Sequence, residues 1–143
     1  MNLSTYEELE QVAKQKTKKD KIATLQKFAG SNIAIPIILD LTFNPGWKWL
    51  LPEGEPPYNP STPEQDLQAV LKKDSRKLMY FINTKEGNSL KPLRRETMYI
   101  EFLESVDPDD AKLLLSIKNG KFPFNGFTKK LVKEAFPDQT KNW

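Results

Sequence analysis

Apolar residues recur along this chain at spacings of three and four, the period of a helix buried on one face, with polar punctuation between the runs. Leu9, Val12 and Ala13 form a first stripe behind Ser4 and Glu7, which have the spacing of a capping box. Thr17 marks a break. Ile22, Leu25, Phe28 and Ala29 then repeat at helical spacing up to Gly30, a good helix stop. Ile33 to Phe43 is apolar almost throughout. Its isoleucines suit a strand, but Pro36 would then interrupt the ladder; a helix starting near Ser31 puts Pro36 at about the end of the first turn, where it is tolerated. Helix is the reading adopted.

The pattern resumes at Thr62-Pro63-Glu64-Gln65. Thr62 suits a cap, Pro63 the first helical position, and Gln65 can reach back to the cap. Leu67, Val70, Leu71, Leu78, Phe81 and Ile82 carry this helix to about Ile82. Asn83 to Leu90 reads as a turn centred on Gly87-Asn88. Pro92 opens a helix whose inner face is Met98, Tyr99, Phe102, Leu103 and Val106. Asp107-Pro108-Asp109-Asp110 opens another, with a cap, a first-position Pro and two acids at the positive helix end. Ala111, Leu114 and Leu115 face inward there, and Asn119-Gly120 ends it. Phe127 and Val132 flank the cap Thr128 at hydrophobic-staple spacing, and that short helix stops before Pro137. Residues 138–143 are expected to fray. The sum is all-α: a single helical domain over residues 1–143, a compact bundle of about six or seven helices.

The exception to this pattern is the stretch at about 44–61. Pro45-Gly46-Trp47-Lys48-Trp49-Leu50-Leu51-Pro52-Glu53-Gly54-Glu55-Pro56-Pro57-Tyr58-Asn59-Pro60 holds two of the three tryptophans and five of the eleven prolines. So much proline excludes a helix interior and a central strand. A long Pro- and Trp-rich structured loop remains. Its aromatics either anchor it on the core or meet a partner, and one face can do each.

Composition narrows the chemistry. The chain of 143 residues has no Cys and no His. Disulfides, thiolate zinc sites, Cys nucleophiles and Ser-His catalysis are thereby excluded, as is the usual general base near neutral pH. The only Gly-Lys pair, Gly120-Lys121, lacks the rest of a phosphate-binding loop. Asp107, Asp109 and Asp110 lack the glycine and the bidentate Glu of a calcium loop, and fit helix capping instead. No catalytic residue, metal or cofactor is expected. The start of the chain lacks a signal-peptide pattern, and the longest apolar run contains Pro36 and Asp40, so no membrane association is expected.

Net charge is only +3, but it is unevenly placed. Lysines crowd residues 14–27, which reads as a solvated face. Between Trp49 and Leu71 there is no basic residue, and Glu101 to Asp110 is a second acidic stretch. Lys72, Lys73, Arg76 and Lys77, with Lys91, Arg94 and Arg95, flank a hairpin-like connection. If the flanking helices are antiparallel, the two groups meet as a basic patch suited to phosphate.

The strings Trp49-Leu50-Leu51-Pro52-Glu53-Gly54-Glu55-Pro56-Pro57-Tyr58, Leu93-Arg94-Arg95-Glu96, Phe102 to Leu114 and Glu134-Ala135-Phe136-Pro137 resemble a family of small proteins from large contractile-tailed phages, including phages of cyanobacteria and other marine bacteria. The resemblance spans most of the chain. It implies a phage origin and a place of action in the host cell cytoplasm or the virion. It implies no activity and no catalytic residue, because that family is a domain of unknown function.

The leading expectation is a non-enzymatic phage accessory protein that binds a phage or host protein, with Trp47, Trp49, Tyr58, Glu104 and Asp109 on the contact surface. One alternative is a nucleic-acid-associated factor in replication or transcription, using Lys72, Lys73, Arg76, Lys77, Lys91, Arg94 and Arg95. Another is a minor structural protein of the virion.

Overall fold

A computed structural model describes residues 3–62 and 65–143. Among these residues the chain forms eight α-helices and one 3-10 helix, and its only β pairing is an isolated bridge. The helices α1 (Thr5–Ala13), α2 (Lys18–Ala29) and α3 (Ala34–Phe43) precede the long loop. After it, α4 (Val70–Asp74) runs into a 3-10 helix (Ser75–Phe81), followed by α5 (Lys85–Ser89), α6 (Pro92–Ser105), α7 (Pro108–Lys118) and α8 (Lys129–Ala135). The fold is all-α, with more and shorter helices than the periodicity predicted.

The most apolar helix is the hub. Ala-Ile-Pro-Ile-Ile-Leu-Asp-Leu-Thr-Phe has hydrophobic residues on every side, and α3 accordingly touches α1, α2, α4, α7 and the 3-10 helix. Pro36 sits in its first turn, where no intrahelical donor is lost. Ile35, Ile38 and Leu39 are fully buried with Leu9, Leu25, Leu71, Leu103, Leu113 and Leu114 in one apolar cluster. A buried polar network stitches α1 to α3 and α4. The Asn32 amide donates to Thr5 Oγ1 at 3.1 Å and to Glu8 Oε1 at 2.8 Å, and Lys72 Nζ meets Glu8 Oε2 at 3.0 Å.

Helix ends follow the sequence closely where a cap was legible. Ser4 and Glu7 form a reciprocal capping box, and Asp107 and Thr128 accept from the first turns of α7 and α8; Thr17, expected only as a break, accepts from the first turn of α2. Phe127 is buried and Phe122 and Phe124 are partly buried against the core, with Phe122 4.8 Å from Phe127 and Phe124 4.9 Å from Tyr6 between ring centroids.

Two segments differ from expectation. The helix predicted from Thr62 to Ile82 does not propagate. Gln65 does reach back to the Thr62 N–H at 2.8 Å, but Asp66 takes a left-handed φ of 54°, which stops the turn. Regular α-helix begins at Val70 and tightens to 3-10 after five residues. The predicted Pro63 and Glu64 contributions lie outside the described residues. The turn expected at Asn83–Leu90 contains α5 instead. Thr84 Oγ1 accepts from the Gly87 N–H at 3.0 Å and caps it. Gly87 is required there because a Cβ would collide with the Ile82 carbonyl.

Residues 138–143, read from sequence as a fraying tail, run in consecutive turns. Thr140 is buried, its N–H and Oγ1 both donating to Phe136 O, and Trp143 is partly buried against the core. Among the described residues no helix is long and apolar enough to cross a membrane.

Candidate functional site

The loop between α3 and α4 is held to the helices at every few residues. Trp47 Nε1 donates to Asp40 Oδ2 of α3 at 2.8 Å. Asn83 bridges the next step: its Oδ1 accepts from the Lys48 N–H at 2.9 Å, and its Nδ2 donates to Gly46 O at 3.2 Å. Trp49 forms an antiparallel bridge with Ile82, closed by Leu50 N–H to Phe81 O at 2.8 Å and Asn83 N–H to Lys48 O at 3.0 Å. Farther on, the Asn59 N–H donates to Glu104 Oε2 at 2.8 Å, and Ser61 Oγ to Val106 O at 2.6 Å. Prolines make this possible: each removes a backbone donor and fixes φ, so few groups need partners and little entropy is lost on ordering.

The loop's centre is held by Lys118, at the end of α7. Its ammonium donates to Pro52 O at 2.9 Å, Gly54 O at 2.7 Å and Asn119 Oδ1 at 3.0 Å, which uses all three N–H groups. Burial lowers its pKa, against the raising effect of Glu53. Between this segment and α6 lies a cleft of about 240 Å³. Leu51, Pro52, Pro56, Pro57 and Ile100 supply apolar walls, and Glu53, Glu55, Glu96, Tyr99 and Lys118 the polar groups. Tyr99 is 2% exposed, and its Oη has no hydrogen-bond partner among the described residues. Burial, with the Tyr58 hydroxyl adding to it, pushes the Tyr99 phenol far above its usual range, so it stays neutral.

The predicted contact residues divide. Trp47, Trp49 and Tyr58 are partly buried and pack on the core, so their rings anchor the loop. Glu104 is drawn to the same loop through Asn59. Asp109 lies in the first turn of α7, near Tyr6 of α1, with its N–H donated to Asp107. Its neighbour Asp110 turns fully inward and accepts the Tyr6 N–H at 2.8 Å. Desolvation pushes the Asp110 carboxyl up to about 7, opposed by the N–H groups of Tyr6 and Thr5.

The basic residues divide too. Lys73, Arg76, Lys91 and Arg94 are exposed. Lys77 is exposed, 3.7 Å from Asp74, and shares a shallow groove with Arg94, Tyr80, Met98 and Glu101. Lys72 is engaged by the buried Glu8. Arg95 is buried and donates to Gly87 O (2.8 Å from Nη2), Leu90 O (3.0 Å) and Leu50 O (3.2 Å). Its guanidinium closes the carbonyl end of α5 and reaches the loop, so it does not face solvent.

Sequence reasoning missed Glu96, Tyr99 and Lys118 as site residues. Tyr99 carried a signal: a tyrosine within an otherwise apolar inner face brings a hydroxyl that needs a partner. Lys118 and Glu96 carried none. Among the described residues, no group of three or more acidic side chains converges in a way that could hold a metal ion.

The architecture is that of a small all-α protein in which a proline-rich loop is clamped over the helices and roofs an acidic cleft. The chain belongs to a family of unknown function (DUF6433), whose model matches residues 8–123. That span includes the loop, α6 and α7, and therefore every residue of the cleft. No curated protein and no solved structure matches the chain.

Proposed function

We propose that this is a non-enzymatic accessory protein of a contractile-tailed phage, acting in the host cytoplasm by binding a phage or host protein through the outer face of the loop. The observation that carries this reading is the clamping of the loop. An eleven-residue stretch from Trp47 to Pro57 is fixed by its aromatics and by Lys118, and it leaves Lys48, Glu53, Glu55 and Pro57 exposed. A surface held in one conformation loses little entropy on binding. The tryptophans serve as internal anchors, and the exposed acids and prolines make the contact.

The test is site-specific photocrosslinking during infection. A photoreactive residue in place of Glu55 is expected to give one dominant protein adduct, and the same residue in place of Arg76 none. Absence of an adduct at Glu55 contradicts the reading.

The nucleic-acid reading is favoured by one observation, the groove that brings Lys77 and Arg94 together. Two of its seven proposed contacts, Lys72 and Arg95, are engaged inside the fold, and Glu101 lines the groove. It predicts salt-sensitive binding to single- or double-stranded DNA or RNA that Arg94→Glu abolishes. A place in the virion is a third proposal; mass spectrometry of purified particles tests it.

A further inference from the structure

The cleft under the loop differs from a generic surface hollow in two respects. Its size, about 240 Å³, is several times the roughly 30 Å³ of a water molecule and below the range of about 300–1,000 Å³ usual for drug-sized ligands. That is the scale of one long side chain. It also has an unbalanced polar lining. Three carboxylates, Glu53, Glu55 and Glu96, border it, and none is in an ion pair among the described residues. The one cation in its wall, Lys118, has all three donors engaged by loop carbonyls and Asn119. A phosphate or carboxylate ligand would meet net negative charge and no free cationic donor.

The buried Tyr99 hydroxyl is the independent pointer. Buried polar groups are almost always hydrogen-bonded, and an orphan in a cleft wall calls for explanation. A phenol oxygen can accept an N–H, and the neighbouring Glu96 can accept another. The walls of Pro52, Pro56, Pro57 and Ile100 are apolar and suit a methylene stem. Only a side chain with an apolar stem and a cationic, multi-donor head matches both halves, and Arg, with five N–H donors in a planar fork, matches best.

We infer that the cleft receives an arginine side chain of the bound protein, its stem along the proline wall and its guanidinium shared between Glu96 and the Tyr99 hydroxyl. This rests on the protein-binding reading and names the chemistry of the partner: a basic segment with an accessible Arg.

The experiment titrates the isotope-labelled full chain with N-acetyl-arginine methylamide, followed by amide chemical shifts. The neutral citrulline analogue, of nearly the same shape, is the control. Saturable shifts confined to Leu51, Tyr99 and Ile100, at about 1–10 mM, are expected for one side chain without its peptide context. Citrulline is expected to bind at least about fivefold more weakly, and Glu96→Gln to weaken the arginine probe by a similar factor. Tyr99→Phe is expected to weaken the probe while leaving the melting temperature unchanged or raised, because the hydroxyl has no partner to lose in the free protein. Absence of saturable shifts at the cleft overturns the assignment, as do equal affinities for arginine and citrulline or an unaffected Glu96→Gln. If the probe fails while the Glu55 crosslink forms, the arginine assignment falls and the protein-binding reading stands. If neither is seen, both fall.

Discussion

At the scale of single residues, two buried charged side chains decide more than any exposed one. Arg95 gathers three carbonyls from α5, its following turn and the loop; removing it strips Leu50 O and Leu90 O of this donor and leaves Gly87 O with only the Leu90 N–H. Arg95→Ala is expected to cost about 2–4 kcal/mol in denaturant unfolding, while its exposed neighbour Arg94→Ala stays within about 0.5 kcal/mol. Equal effects would show that the buried contacts carry no stability. Asp110 acts in the opposite sense. Its folded pKa, about 7, lies above the ordinary value of 3.8, and Asp107 and Asp109 beside it add to the shift. The folded state therefore keeps a proton that the unfolded chain has lost. This contribution is full below about pH 4 and falls away as pH rises through about 7. Asp110→Asn keeps an acceptor for the Tyr6 N–H without the charge. Its melting temperature relative to the parent is expected to rise between pH 4 and pH 8; a difference that stays flat over that range would contradict the burial argument.

At the scale of elements, what was legible was whatever is decided locally. Ser4 with Glu7, Pro92, Asp107 with Pro108, and Thr128 each marked a helix start that the structure shows, because capping and first-position proline involve only three or four neighbouring residues; Thr17, read only as a break, is the cap of α2. The failures came where distant groups intervene. Leu71, Leu78, Phe81 and Ile82 are buried as the stripe demanded, but as a short helix and a 3-10 segment whose burial is set by α3 and α6. Lys85–Ser89 has poor helix formers in Gly87, Asn88 and Ser89, and it is held by the Thr84 cap and Arg95 from outside. Gly87→Ala tests this element. It would drive a Cβ into the Ile82 carbonyl, and a loss of at least about 2 kcal/mol is expected from thermal unfolding. A neutral result would mean that α5 can shift freely. The loop was legible as a structured loop, because so much proline excludes a helix interior and a central strand, but whether its tryptophans pack or face a partner is decided only by the tertiary contacts, which place them on the core. The cleft was not, since Glu96, Tyr99 and Lys118 reach it from two helices and only the tertiary arrangement joins them to Pro52 and Gly54.

At the scale of the whole molecule, α3 organises the core, and the loop that follows it closes one side of the bundle instead of hanging from it. Lys118 is the reach of α7 into that closure. Lys118→Met keeps most of its stem and removes the donors to Pro52 and Gly54. It is expected to lower stability by about 1–3 kcal/mol and to abolish binding of the arginine probe, since the roof of the cleft is no longer held; unchanged binding would show that the roof does not depend on this lysine. The proposed function and the further inference both require a loop that is part of the fold. Amide hydrogen exchange measures this directly. Leu50, bonded to Phe81 O, and Asn83, bonded to Lys48 O, are expected to exchange as slowly as amides of α3, because opening them requires lifting the loop from the core. Exchange at the rate of an unstructured chain at Leu50 and Asn83, with α3 still protected, would contradict the clamped loop and with it the cleft.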